Sequence, residues 1–134
     1  MIEKNFEGVS VRWVIALKGE AEEIIKNYAM KRVEITPFPV YKNKDLDMWL
    51  ILSGIGQLNA VAATSYLYVK SDASYNTIWI NFGIVGSKSF KVGDLIQIDK
   101  ITSSDFQDNY YPSPSAFKNN NCLLYTSPSP RDLS

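Results

Sequence analysis

The stretch from residue 76 to 94 sets the strongest limits on the fold, because an apolar run in it stops abruptly at glycines. Residues 77–80 are β-branched or aromatic, which predicts a strand buried on both faces. Gly83 and Gly86 follow at a spacing that lets main chain approach a ligand and supplies positive φ angles. The same spacing also fits two glycines that only make a turn.

Strand patterns and helix patterns follow one another along the rest of the chain. The predicted elements are a buried strand over 9–17, a helix over 21–30, an edge strand over 31–41, a strand over 48–52, a helix over 57–70 and a strand over 94–98 after a turn at Gly93. The predicted buried stripe of the first helix is Leu17, Ala21, Ile24, Ile25 and Tyr28. That of the second is Leu58, Val61, Ala62, Ser65, Tyr66 and Val69.

Composition excludes several classes of function. The 134 residues suit one domain, and 14 basic residues balance 14 acidic ones, so no net field attracts nucleic acid or an acidic membrane. The absence of histidine and the presence of one cysteine, Cys122, argue against zinc sites, histidine triads and disulfides. The glycine turn at 53–59 lacks the dinucleotide fingerprint, so we expect neither a metal nor a cofactor.

Residues 1–8 are polar and charged, without the apolar core of a signal peptide. No apolar run reaches the length needed to cross a bilayer. We therefore expect a cytoplasmic protein without a membrane partner.

The last thirteen residues differ in composition from everything before them. Residues 122–132 can be back-translated into the transposase-adapter sequence of sequencing libraries, which predicts adapter read-through and disorder over 122–134. A natural Ser/Pro-rich disordered tail is the alternative. With read-through, residues 1–121 are the amino-terminal part of a longer domain, and the chain is truncated.

Two features are candidates for function. Glu20 lies at the junction between the first strand and the helix that follows it. It is therefore either a carboxylate of a functional site or a solvated residue in the first turn of the helix. Residues 100–121 carry aromatic side chains and Pro112 in a polar loop, which suits a lid or a subunit interface, or packing on their own domain.

Three motifs occur in order: ALKGEA at 16–21, SGIG at 53–56, and Asn81, Gly83 and Gly86 followed by KVGDL at 91–95. Together they resemble the purine nucleoside phosphorylase and nucleosidase superfamily. Within it they are most like the 5′-methylthioadenosine/S-adenosylhomocysteine nucleosidases and related hydrolases such as futalosine hydrolase.

The resemblance implies a three-layer α/β/α sandwich with a mixed central sheet, a purine nucleoside as ligand and a homodimer in the full-length form. It implies that Glu20 activates the water that attacks the anomeric carbon, which a carboxylate at the mouth of a sheet can do. The implied substrate-binding residues are Ala16, Ile84, Val85 and Gly86, and those implied to line the partner subunit's pocket are Ile55, Phe106 and Pro112.

The predicted function is hydrolysis of the N-glycosidic bond of a purine nucleoside of the methylthioadenosine or adenosylhomocysteine type. Ile84 stands where many members carry Ser or Thr, so a polar contact made by that side chain is lost. Neither Arg12 nor Arg32 lies in an evident phosphate loop, which favours water over phosphate as the nucleophile. In the family, the ribose-gripping Glu and the purine-protonating Asp come from the carboxyl-terminal half, so we expect this chain to be inactive alone. A nucleoside phosphorylase and a non-catalytic nucleoside-binding protein are the alternatives.

Overall fold

The computed structural model describes residues 7–98 together with the short strands at residues 100–101 and 124–125. The chain divides into two compact units, Met1–Ile84 and Val85–Ser134. The predicted division at residue 121 stays a prediction.

The first unit is an α/β sheet whose elements follow the predicted order, with one correction: residues 31–41, predicted as a single edge strand, form two antiparallel strands. Its elements are β1 (Val11–Ile15), α1 (Lys18–Asn27), β2 (Lys31–Glu34), β3 (Val40–Lys42), β4 (Met48–Leu52), α2 (Gln57–Lys70) and β5 (Ile78–Phe82). The strand order is β2-β3-β4-β1-β5, with β1 parallel to both β4 and β5 and the β2–β3 and β3–β4 pairs antiparallel. In the second unit, β6 (Lys100–Ile101) pairs in parallel with β7 (Leu124–Tyr125).

One helix covers each face of the five-stranded sheet. Alternate residues of β1 and β4 point to opposite faces, so Ile15 and Leu50 join the core with Ala21 of α1, while Val14 and Ile51 join the core with α2. The mixed three-layer α/β fold predicted from the sequence is thereby confirmed.

The predicted buried stripe of α2 was wrong except at Tyr66, which packs against the core, although the ends of the helix were right. Ala63 and Leu67 face the sheet, whereas Leu58 is 88% exposed and Val69 is 80% exposed. The helix is apolar on both sides, so periodicity could not choose between them. Packing sets the side: Ala63 and Leu67 share a core cluster with Val14, Val40 and Ile51 of the strands.

Two further strand predictions need correction: the first strand forms but its predicted burial was wrong, and the second does not form among the described residues. The strand predicted to be buried on both faces is β5, and Ile78 in it is 50% exposed, because in the described part of the chain β5 pairs only with β1. Residues 94–98 form no strand, since no described strand pairs with them. The first helix begins at Lys18 instead of Ala21, which leaves Leu17 exposed.

Arg12 is a charged side chain buried at the amino end of β1. Its Nε donates to Ser71 Oγ at 2.6 Å and its Nη2 donates to Ser71 O at 3.0 Å, at the last turn of α2. Its Nη1 donates to Asp47 O at 3.1 Å and lies 3.0 Å from Asp47 Oδ1. The guanidinium therefore joins β1, the β3–β4 loop and the negative end of the α2 dipole.

A second polar contact ties α2 to the edge strand β2. Lys70 Nζ lies 2.8 Å from Glu34 Oε1, and Tyr66 donates its hydroxyl to Glu34 Oε2 at 2.6 Å. The hydrogen bond from Lys70, and after it the one from Tyr66, hold the pKa of Glu34 below its usual value. The hydrogen bond to Glu34 raises the pKa of both Tyr66 and Lys70.

Neither helix of the described residues has the length and hydropathy that crossing a membrane requires. The cytoplasmic location stays a prediction.

Replacing Arg12 with Met should lower the free energy of unfolding by about 3 kcal/mol, near the lower end of the cost of breaking a buried charge pair, because Asp47 is half exposed. Urea unfolding followed by circular dichroism measures the change. Arg32→Met on the exposed strand β2 is the matched control, with an expected change within about 0.5 kcal/mol. Equal urea midpoints for the two variants would show that Arg12 does not hold these segments together.

Candidate functional site

The candidate site lies where β1 and β5 end side by side. The two strands are parallel neighbours, and their last residues, Ile15 and Phe82, are register partners. Glu20 follows β1 in the first turn of α1, and Ile84 follows β5 after Gly83. Parallel pairing therefore brings together residues that are 64 positions apart in the sequence.

Main-chain N–H groups hold both carboxylate oxygens of Glu20. Leu17 N–H donates to Oε2 at 3.1 Å, and Ile84 N–H donates to Oε1 at 3.1 Å. A Cβ atom on residue 83 would lie 3.7 Å from Oε1, so the backbone after β5 runs directly beside the carboxylate. The carboxylate is thus turned toward the end of β5.

The first of these bonds is half of a capping box. Leu17 is the N-cap of α1 and has no side-chain acceptor, so only the reciprocal bond to the Glu at the third helical position forms. The positive end of the helix dipole favours an anion there. Because each carboxylate oxygen can accept more than one hydrogen bond, Glu20 keeps lone pairs with which it can orient or deprotonate a water.

The sequence did not point to the main-chain donors of Leu17 and Ile84. A Glu three residues into a helix is a capping signal, but the helix was predicted to begin after Glu20. The Ile84 donor has no such signal, because every residue except proline carries a main-chain N–H.

The turn after β4 lies beside the end of β1. Ser53 N–H donates to Ile15 O and Gly54 N–H donates to Ala16 O, both at 2.9 Å. Ala16 is therefore held at the end of the sheet, and Ile55 follows in the turn with its side chain exposed.

Four predicted site residues do not belong to the described part of the first unit. Val85 and Gly86 belong to the second unit, where both are exposed. Phe106 and Pro112 lie outside the described residues. The substrate and partner-subunit roles of all these residues stay predictions.

The glycines of this end of the sheet differ from expectation. Gly83 and Gly86 do not adopt positive φ, so the prediction that they supply left-handed backbone is wrong. Gly54 and Gly56, in the turn that opens α2, have φ of 77° and 103°. The special backbone lies after β4, because that turn must redirect the chain into a helix within a few residues.

The described residues also form a cavity of about 330 Å³ at the opposite end of the sheet. Its lining is residues 7–10 and 45–47, next to the amino ends of β1 and β4. It contains none of the candidate site residues. In the same part of the chain, no three His, Cys, Asp or Glu side chains group as a metal site requires.

Comparison with known proteins gives one informative likeness. No protein-family model matches the sequence, and no curated protein matches it. Among solved structures, the chain is similar to the 5′-methylthioadenosine/S-adenosylhomocysteine nucleosidase from Neisseria meningitidis in complex with methylthio-immucillin-A, with a TM-score of 0.50 and 32% sequence identity. The match covers 63% of this chain and 38% of that chain. The likeness supports a nucleosidase-like fold for this chain, which spans well under half of that protein's length.

Replacing Gly56 with Ala should destabilise the protein by about 1 kcal/mol, because an L-residue is strained at positive φ. Gly86→Ala is the matched control: an added Cβ meets nothing within 4 Å at either position, and only Gly56 has positive φ. Thermal unfolding measures both. A Gly86→Ala variant that loses as much stability as Gly56→Ala would contradict the backbone geometry described for the two turns.

Proposed function

We propose that this chain supplies the front part of a purine-nucleoside N-glycosidase site, in which Glu20 activates the attacking water. The observation that carries the proposal is the contact of the Glu20 carboxylate with the backbone of Ile84 at the carboxyl end of the sheet. In open α/β sheets, ligands bind at this end of the strands. The likeness to a methylthioadenosine/adenosylhomocysteine nucleosidase supports the same reading.

In hydrolysis of an N-glycosidic bond, a carboxylate takes a proton from water as the bond between sugar and base breaks. The anomeric carbon then has oxocarbenium character, and water adds to it as its proton passes to Glu20. Ala16, Ile84, Val85 and Gly86 line the nucleoside in this proposal. In the family that the sequence resembles, the groups that hold the ribose and protonate the purine come from the carboxyl-terminal half. The match to the similar nucleosidase covers 38% of that protein, so we expect the 134-residue chain to bind weakly and not to turn over.

Water is preferred to phosphate as the nucleophile. A phosphate site needs a cationic clamp, for which arginine is best suited. In the described part of the chain, Arg12 is committed to Ser71 and Asp47, and Arg32 lies on the edge strand β2. Neither is placed in the candidate site.

Glu20→Gln should lower kcat for adenine release from methylthioadenosine by about 10²- to 10⁴-fold in a version of the protein that includes the carboxyl-terminal half, because the base is lost. Nucleoside affinity should persist, and Glu23→Gln on the same helix should retain turnover. The assay is chromatographic detection of adenine, with and without phosphate.

Three outcomes would overturn or redirect the proposal. A Glu20→Gln variant with undiminished kcat would remove Glu20 from the chemistry. Phosphate-dependent formation of a sugar phosphate would identify a phosphorylase. Nucleoside binding without turnover in the longer protein would identify the non-catalytic binding protein.

The outer side of α2 supports the proposed homodimer. Five large apolar side chains on this helix and its entry turn are exposed: Ile55, Leu58, Val61, Tyr68 and Val69. Between Gln57 and Val69 the helix carries no charge that would repel a second copy. A symmetric dimer through this side would place Ile55 near the partner's site.

Val61→Glu should shift the longer protein from dimer to monomer in sedimentation velocity, because two copies would then bury a charge. Glu22→Lys on α1 is the control for a surface charge change away from α2. A dimer that persists in Val61→Glu would place the interface elsewhere.

A further inference from the structure

The contact between Glu20 and Ile84 uses only the main chain of residue 84. The donor is the backbone N–H, while the side chain is 77% exposed and plays no part in the bond. The approach is open because Gly83, which precedes it, has no side chain beside Oε1.

The Leu17 N–H alone would not fix the orientation of the Glu20 carboxylate. Leu17 N–H binds Oε2 within one helical turn, which leaves Oε1 free to swing about that contact. Ile84 N–H binds the other oxygen from a different strand connection. Two donors on two oxygens define the plane of the carboxylate, and hydrogen bonds to a charged acceptor are the stronger kind.

We infer that the main-chain N–H of Ile84 is a positioning group for Glu20, and that any residue except proline can stand at position 84 without disturbing the carboxylate. This inference rests on the proposed function for its catalytic meaning, but the contact itself is testable without turnover. It accounts for an Ile at position 84, because the bond needs no hydroxyl there. The exposed side chain is then available to shape contacts with the ligand.

The test uses amide hydrogen exchange and ¹³C side-chain relaxation by NMR on the 134-residue chain. In Glu20→Ala the Ile84 amide should exchange about fivefold faster, because a solvent-exposed charged hydrogen bond is lost. In Glu23→Ala on the same helix it should exchange at the original rate. An unchanged Ile84 amide in Glu20→Ala would overturn the inference.

Substitutions at residue 84 separate the main chain from the side chain. Ile84→Pro removes the N–H, so the Glu20 side chain should become more mobile in relaxation measurements, whereas Ile84→Thr and Ile84→Ala should leave its mobility as it was. Should Ile84→Pro unfold the chain, the Glu20→Ala exchange result still decides. Greater Glu20 mobility in Ile84→Ala would show that the side chain is needed, against the inference.

A kinetic comparison distinguishes failure of this inference from failure of the proposed function. In the longer protein, kcat should fall at least about tenfold further in Ile84→Pro than in Ile84→Ala, in line with the cost of a misplaced catalytic group. If the exchange results hold and no variant hydrolyses nucleosides, the contact stands and the glycosidase proposal falls. If Glu20 is required for turnover but Ile84→Pro keeps the kcat of Ile84→Ala, the glycosidase stands and the positioning role falls.

Discussion

The position of β1 between two parallel neighbours is the constraint on which the rest of the first unit depends. Parallel strands need long connections, so the chain must pass over the sheet between β1, β4 and β5, and α2 makes the crossover between β4 and β5. The carboxyl ends of all three strands then lie at the same end of the sheet. Glu20 contacts Ile84 there, and Gly54 bonds to Ala16, because each of these segments follows one of those strands although they are far apart in the sequence.

Local patterns were sufficient for the elements that carry strong local signals. The bounds of β4 and α2 follow from an apolar run, a glycine turn and a helical stretch without breakers. The mixed α/β class was predicted from the resemblance of three motifs to a known family, and not from the local patterns alone. The residues 94–98 look like a strand for equally good local reasons, yet a strand exists only with a partner, which sequence pattern does not reveal.

What could not be predicted depends on contacts between distant segments. The buried face of α2 was undecidable because both sides are apolar, and packing against the sheet selects the side with Ala63. Arg12 was considered only as a phosphate ligand, but its partners Ser71 and Asp47 meet it through the fold. The donor at Ile84 is a main-chain N–H, which every residue except proline carries, so the residue type does not predict it.

Arg12 lies near the amino end of β1, whereas Glu20 lies beyond the carboxyl end of β1, in the first turn of α1. Additivity is expected for substitutions that are well separated and share no partners. Protein engineers could therefore change the free energy of unfolding through substitutions around Arg12 and change the candidate site around Glu20 independently. Substitutions that arise during evolution at either place would also act independently, so related proteins could differ in stability without differing in the chemistry of the site.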